Sequence, residues 1–288
     1  MNNLKTVALL SFMSALVWFL GIALFGRSTG FYIGLVLAVG LNFFAYFFSD
    51  KMALRASKAK AVEEHELPKV YSIVRRLAAI AEMPMPRIYL IDSPQPNAFA
   101  TGRNPQHAAV AVTTGIMEIM TTDELEGVLA HELSHVKNRD ILISSIAAMM
   151  AAALSIFARM AFWFGGGRGR GNALSGIISL AALILAPLAG MIIRSAISRS
   201  REFEADASGA AMTGSPLKLA SALEKIGAAT ARIPMQVDPA VSQLFIDDPL
   251  KAFGNRDRRG GGSLRKWFST HPPVEERVRR LTEMYYRT

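Results

Sequence analysis

The 288-residue sequence contains no cysteine. Disulfide frameworks and thiolate metal sites are therefore excluded, and any metal centre has to be assembled from His, Asp and Glu. Charge is also missing over long stretches. Between Lys5 and Asp50 the one charged residue is Arg27. The runs on either side of it, Val7 to Phe25 and Ser28 to Ser49, are each long enough as helices to cross ~30 Å of hydrocarbon. With 51% hydrophobic residues overall, a membrane protein is the expected class, ahead of a soluble α-protein with two core helices. The first run lacks a small-x-small exit site and leads almost at once into the second, which argues against a cleaved signal peptide. Two further apolar runs, Ile141 to Ala158 and Gly171 to Ile193, flank a Gly/Arg-rich segment. Arg159 and Pro187 break into them, so two full spans and a hairpin dipping into the bilayer both fit.

The formal net charge of +9 suits either nucleic acid or a membrane surface. Its distribution favours the membrane. With four spans, the N-terminus, residues 50–140 and the C-terminal segment share one side. That side carries Lys5, Lys51, Arg55, Lys58, Lys60, Lys137, Arg139, Arg194, Arg199 and Arg201, against Arg27, Arg168 and Arg170 opposite. The positive-inside rule places the large segments in the cytoplasm, and no nucleic-acid partner is needed to explain the charge. The expected division is a two-helix transmembrane hairpin at 1–49, a cytoplasmic part at 50–140, a second hairpin at 141–193 and a second cytoplasmic part at 194–288. The sequence has no internal repeat.

The polar segments have their own patterns. Lys51 to Ala81 reads as helix broken near Pro68. "RIYLI" after Pro84 and Pro86, "NAFATG" and "AAVAVTTG" read as three short strands, the last two joined as a hairpin through "RNPQ". Thr121 with Glu124 three residues on signals a capping box and the start of a helix, with Leu125, Val128, Leu129 and Val136 as its apolar side. "SRSREFEADASGAAM" looks helical, Pro216 opens another helix, and "PPVEERVRRLTEMYY" is a last amphipathic helix.

The helix after Thr121 carries "HELSH". His131 and His135, four apart, place two imidazoles on one helix face, where they can share one ion. Glu132 lies about 100° further round, within reach of a water on that ion. Two imidazoles, a carboxylate and an open fourth position suit zinc. The bland alternative is an amphipathic helix with exposed histidines. A third ligand is offered by "REFEAD": Glu202 and Asp206 share a helix face, while Glu204 is turned about 200° from Glu202. Glu202 as ligand, with Asp206 accepting a ring N–H from a metal-bound His, is the economical arrangement; a surface salt-bridge helix is the alternative. If the helix runs on unbroken, His135 lies about 9 Å before Ile141. The third and fourth runs then form an insertion between two halves of one site, held just above the membrane. His65 and His107 have no metal-spaced partner and read as solvent-facing.

In combination, "HELSH", "SRSREFEAD", "NAFATG" and "STHPPVEER" with four apolar runs in this order resemble the HtpX-type membrane zinc metalloproteases, bacterial relatives of the CaaX prenyl endopeptidase. The resemblance covers nearly the whole chain; "GGGRGRGN" and "GNRDRRGGGS" are the segments that do not match. It implies a mainly α membrane protein with about four transmembrane helices and a cytoplasmic zincin-like α+β catalytic domain. It also implies one zinc bound by His131, His135 and Glu202, with Glu132 as catalytic base and Asp206 in support. Asn97 and Ala98 would lie on an edge strand nearest the substrate, where a plain structural hairpin is the alternative. His271 would stabilise an oxyanion, unless Ser269 or Thr270 merely caps the next helix there. The implied role is an inner-membrane endopeptidase that cleaves damaged or misassembled membrane proteins from the cytoplasmic side. Two rivals remain. An intramembrane protease is disfavoured by the charges of "TTDELEGVLAHELSHVKNRD". A zinc-binding scaffold or chaperone without hydrolysis leaves Glu132 without a purpose.

Overall fold

The computed structural model describes residues 2–146, 199–233, 235, 244–247 and 272–287. Most of the third apolar run, all of the fourth, both Gly/Arg-rich segments and His271 lie outside the described residues. Helices α1 (Asn2–Phe25) and α2 (Arg27–Ala56) form an antiparallel pair. The chain turns between them at Gly26, whose φ of 81° carries no steric penalty without a Cβ. Small residues let the two backbones approach: Gly30, Gly34, Ala38, Ala45 and Ser49 are buried, and a Cβ on Gly34 would stand 2.9 Å from the Trp18 Cα. Asn42 donates a hydrogen bond to Ser14 across the pair, as polar side chains do between helices in lipid. Large apolar side chains face outward instead, with Tyr32, Val36 and Val39 well exposed. Among the described residues, α2 is the one helix long and apolar enough to cross a membrane.

The helix expected from Lys51 to Ala81 is two helices with a strand between them. Lys58 takes up φ 55°, which ends α2. Lys60–Ala61 then forms β1, and α3 (Pro68–Ile80) restarts with proline in its first turn, where the missing N–H costs nothing. The sheet runs β1-β2-β4-β3, with β2 (Arg87–Ile91) parallel to β4 (Ala109–Thr113) and β3 (Ala98–Thr101) antiparallel to β4. The last two are the expected hairpin. Every residue of β3 and β4 is buried, which is why these strands read as apolar runs rather than alternating ones. β3 is an edge strand.

After the short α4 (Thr114–Ile119), α5 (Thr122–Lys137) opens with the expected capping box. Thr121 Oγ1 accepts from the Glu124 N–H, and Glu124 Oε2 accepts from the Thr121 N–H. This helix is no surface amphipath: every residue from Glu124 to Ser134 is buried. It is the axis of the domain, packed between the sheet, α3, α6 (Arg199–Thr213) and α7 (Pro216–Thr230), while α8 (Val274–Arg287) closes over α6 and α7. Leu125, Val128, Leu129, Leu133 and Val136 are fully buried, each contributing about 1.5–3 kcal/mol of apolar transfer. Crossing α7 so closely requires Gly127, whose Cβ would stand 2.6 Å from the Leu219 amide nitrogen.

A helix buried on all sides has to neutralise its own carboxylates. Glu126 is held by Arg76 and Lys218, each at 2.8 Å. Glu124 accepts from Ser221 at 2.6 Å and Lys225 at 2.7 Å. Burial alone would raise the Glu124 pKa. The Lys225, Ser221 and Thr121 hydrogen bonds outweigh it and hold the carboxyl at about 2, against 4.5 in the unfolded chain. A carboxyl depressed by folding stabilises the protein above its unfolded pKa, and that contribution disappears as pH falls through the folded value. Glu124→Gln, which keeps the capping box, is therefore expected to cost about 1–2 kcal/mol at neutral pH through loss of its charge-assisted bonds to Lys225 and Ser221. Thermal melts in detergent should show the gap to wild type closing between pH 4.5 and about 2; a gap independent of pH would contradict this role.

Candidate metal centre

α5 supplies the two imidazoles and α6 the third donor. His131 Nε2 and His135 Nε2 lie 3.2 Å apart. Glu202 brings one carboxylate oxygen to 3.8 Å from His131 Nε2 and the other to 3.5 Å from His135 Nε2. Zinc bonds of 2.0–2.1 Å in tetrahedral geometry put neighbouring donors about 3.3–3.4 Å apart, so the two imidazoles and the carboxylate fit three corners of one zinc site. His131 and Glu202 are buried, and His135 is the partly open member of the set. Among the described residues this is the one cluster with metal-binding geometry.

The third donor depends on how near α6 comes. Glu202, Asp206 and Gly209 share one face of α6. A Cβ on Gly209 would stand 3.0 Å from the His131 amide nitrogen, so glycine sets the distance between the helices where they cross. Asp206 Oδ1 lies 2.9 Å from His131 Nδ1. It accepts the ring N–H there and leaves Nε2 for the metal. Its other contacts go to a side chain the sequence reading did not single out: Arg277, 1% exposed, donates from Nη2 to Oδ1 at 2.6 Å and from Nε to Oδ2 at 3.0 Å. This two-pronged pair holds Asp206 well below the usual carboxylate range against the cost of its burial, and raises Arg277 in turn. Arg277 Nη2 is also 3.3 Å from both His131 ring nitrogens.

The other imidazole has a matching support. α5 does not continue into the third apolar run, contrary to the unbroken helix expected from His135 to Ile141. It stops at Lys137, Arg139 takes φ 58°, and the Asp140 N–H turns back to the His135 carbonyl at 2.9 Å before helix resumes at Ile141. Asp140 Oδ2 consequently sits 3.3 Å from His135 Nδ1. The fields at the two rings differ. Burial and Arg277 push the His131 pKa down against Asp206. At His135, burial also pushes down but is outweighed by Asp140, Glu202 and Glu132, so its pKa rises. Glu132, Glu202, Asp206 and Asp140, all buried, face two buried guanidinium groups, Arg277 and Arg201. Among the described residues the formal balance is −2, the charge that one zinc ion neutralises.

The edge strand β3 borders the centre. The Ala100 N–H donates to Glu132 Oε2 at 2.9 Å, fixing that carboxylate beside the two imidazoles. Asn97 is fully buried; its Nδ2 donates to the Asp247 carbonyl and its Oδ1 accepts the Asp247 N–H. The Ala98 carbonyl accepts the Ile246 N–H at 2.9 Å, and Phe245 packs edge-on against Phe99. One end of the β3 edge is thus occupied by Leu244–Asp247, an arrangement no local pattern signals. Gly209→Val is expected to push α6 from α5 and lower zinc content severalfold in a protein that still folds. Metal analysis of the purified variant checks this, and full occupancy would contradict the crossing as the determinant of the third donor.

Residues 64–285 match peptidase family M48. Curated proteins named protease HtpX homolog, from Burkholderia thailandensis and Burkholderia mallei, are each 50% identical to the chain over 286 residues. The match covers 98% of this chain and 97% of theirs. A crystal structure of S. mikatae Ste24p superposes with a TM-score of 0.51 at 18% identity, over 97% of this chain and 65% of that one. That likeness bears on the fold alone, mostly helical with a small mixed sheet. The chain belongs to peptidase family M48 and, with the HtpX homologues it matches along nearly its whole length, is a membrane zinc metalloprotease.

Proposed function

We propose that the protein is a multi-pass endopeptidase of a bacterial inner membrane that cuts misfolded or damaged membrane proteins at the cytoplasmic face, as part of protein quality control under stress. The observation that carries the chemistry is the converging set of His131, His135 and Glu202 with Glu132 held alongside by the Ala100 amide. In this reading His131, His135 and Glu202 hold one zinc, which when bound supplies Lewis-acid activation of a water and of the scissile carbonyl. Glu132 takes the proton from the attacking water and delivers it to the leaving amine. Asp206 keeps His131 in the tautomer that leaves Nε2 for the ion. His271, assigned by resemblance, steadies the developing oxyanion. An extended substrate lies alongside β3 on the Ala100 side of Leu244–Asp247, next to Glu132. Asn97 and Ala98, assigned by resemblance, lie nearest the substrate at the end of β3, where they also hold Asp247 and Ile246.

The membrane side of the proposal rests on the outward apolar surface of α1 and α2 and the clustering of Lys and Arg on one side of the apolar runs. Four spans, with hairpins at 1–49 and 141–193 and cytoplasmic parts at 50–140 and 194–288, put both halves of the centre on one face of the bilayer. Lipid is then a permanent partner of the protein.

The test uses full-length protein in detergent with an unfolded polypeptide substrate. Glu132→Gln should retain one zinc per chain and lose roughly 10²–10⁴-fold in cleavage rate, whereas Glu202→Ala should lose most of its zinc. A Glu132→Gln variant that cleaves at the wild-type rate would contradict the assignment of the base. Wild-type protein that binds zinc but never cleaves would point to the scaffold reading.

A further inference from the structure

The two imidazoles are supported in parallel ways, but one support is absent from the sequence motifs. On the His131 side, Asp206 accepts the ring Nδ1–H and Arg277 clamps Asp206. On the His135 side, Asp140 Oδ2 lies 3.3 Å from Nδ1, and Asp140 Oδ1 lies 3.6 Å from Arg201 Nη1. Asp140 is 4% and Arg201 8% exposed, so neither charge is a solvated surface group. The guanidinium nitrogens Nε, Nη1 and Nη2 of Arg201 are buried without a hydrogen-bond partner, which leaves the Asp140 carboxylate as the charge facing it among the described residues.

We infer that Asp140 is the positioning residue for His135, with Arg201 as its anchor, making a second carboxylate–imidazole support that mirrors Asp206 and Arg277. The inference rests on the proposed ligand set. Its geometric basis is the turn at Asn138–Arg139. On an unbroken helix a residue five positions after His135 would be turned about 140° away from it. The left-handed Arg139 brings residue 140 back over the ring instead. An Nδ1–H held by Asp140 fixes the tautomer and the plane of His135, so that Nε2 faces His131 Nε2 and the Glu202 carboxylate. Arg201 directly precedes Glu202 in the chain. The Asp140–Arg201 contact therefore joins the end of the imidazole helix to the start of the helix carrying the third donor, at the point where each meets an apolar run.

A carboxylate that supports a metal-bound imidazole typically contributes 10–100-fold in metal affinity. In full-length protein, competition against a chromophoric chelator should show zinc affinity weakened 10–100-fold in Asp140→Ala. Asp140→Asn, nearly isosteric and still able to accept the N–H, should lose less, and Arg201→Met should fall between wild type and Asp140→Ala. The cobalt-substituted protein supplies a readout that loss of packing would not move: its visible d–d bands should shift in Asp140→Ala and return towards wild type in Asp140→Asn. If Asp140→Ala does not fold, Asp140→Asn carries the test through its affinity and spectrum. Wild-type affinity and an unchanged cobalt spectrum in a folded Asp140 variant would overturn the inference. His135→Ala separates this from the ligand assignment. If His135→Ala loses zinc while Asp140 variants do not, the positioning role alone fails; if His135→Ala keeps wild-type zinc affinity, the ligand set itself is wrong.

Discussion

The centre depends on how closely α6 lies against α5. Two imidazoles on one helix form half a zinc site, and the other half must come from a separate helix near enough for a short carboxylate to reach both rings. Gly209 permits that approach by presenting no side chain to the His131 backbone. Gly127 does the same for α7 on the opposite side of α5. Glycine in a helix costs up to about 1 kcal/mol relative to alanine. At these two crossings a methyl group would meet backbone atoms that cannot step aside, so close packing of the central helix outweighs its intrinsic propensity.

Electrostatics follows from the same burial. Gathering Glu132, Glu202, Asp206 and Asp140 in the interior is costly unless each is paired or hydrogen-bonded. Arg277 and Arg201 balance half of that charge, and a dication completes it. The arginines reach the centre from outside the zinc-binding helix face, one from α8 and one from the start of α6. Further along α5 the pattern repeats in structural form, with Lys218, Lys225 and Arg76 neutralising Glu126 and Glu124. Charge pairing therefore ties α3, α6, α7 and α8 to one axis and fixes their distances from the imidazoles.

What the sequence revealed is what depends on local periodicity. The capping box at Thr121, the paired histidines and the shared face of Glu202 and Asp206 follow from spacings of three or four residues, and the hairpin of β3 and β4 and the proline start of α7 from equally local turn and helix-start signals. Arg277 did not, because it meets His131 across 146 positions of chain and read simply as one charge on an amphipathic helix. Asp140 escaped for a different reason: helical spacing points it away from His135, and only the left-handed Arg139 reverses that. The docking of Ile246 on the β3 edge is tertiary, set by Asn97 and by the packing of Phe245 on Phe99. The break between α2 and α3 comes earlier than Pro68 signals, since Pro68 marks where helix restarts and the stop at Ser57 and Lys58 has no proline or glycine to signal it.

The zinc centre joins these strands, and X-ray absorption at the zinc edge of the purified full-length protein examines it most directly. The expected result is one zinc per chain with a shell of nitrogen and oxygen ligands at ~2.0–2.1 Å. Multiple scattering from two imidazoles is expected, and zinc content should fall in His131→Ala and His135→Ala. A shell with one or more than two imidazoles in the wild type, or a zinc environment unchanged when Glu202 is replaced by alanine, would contradict a centre built from His131, His135 and Glu202.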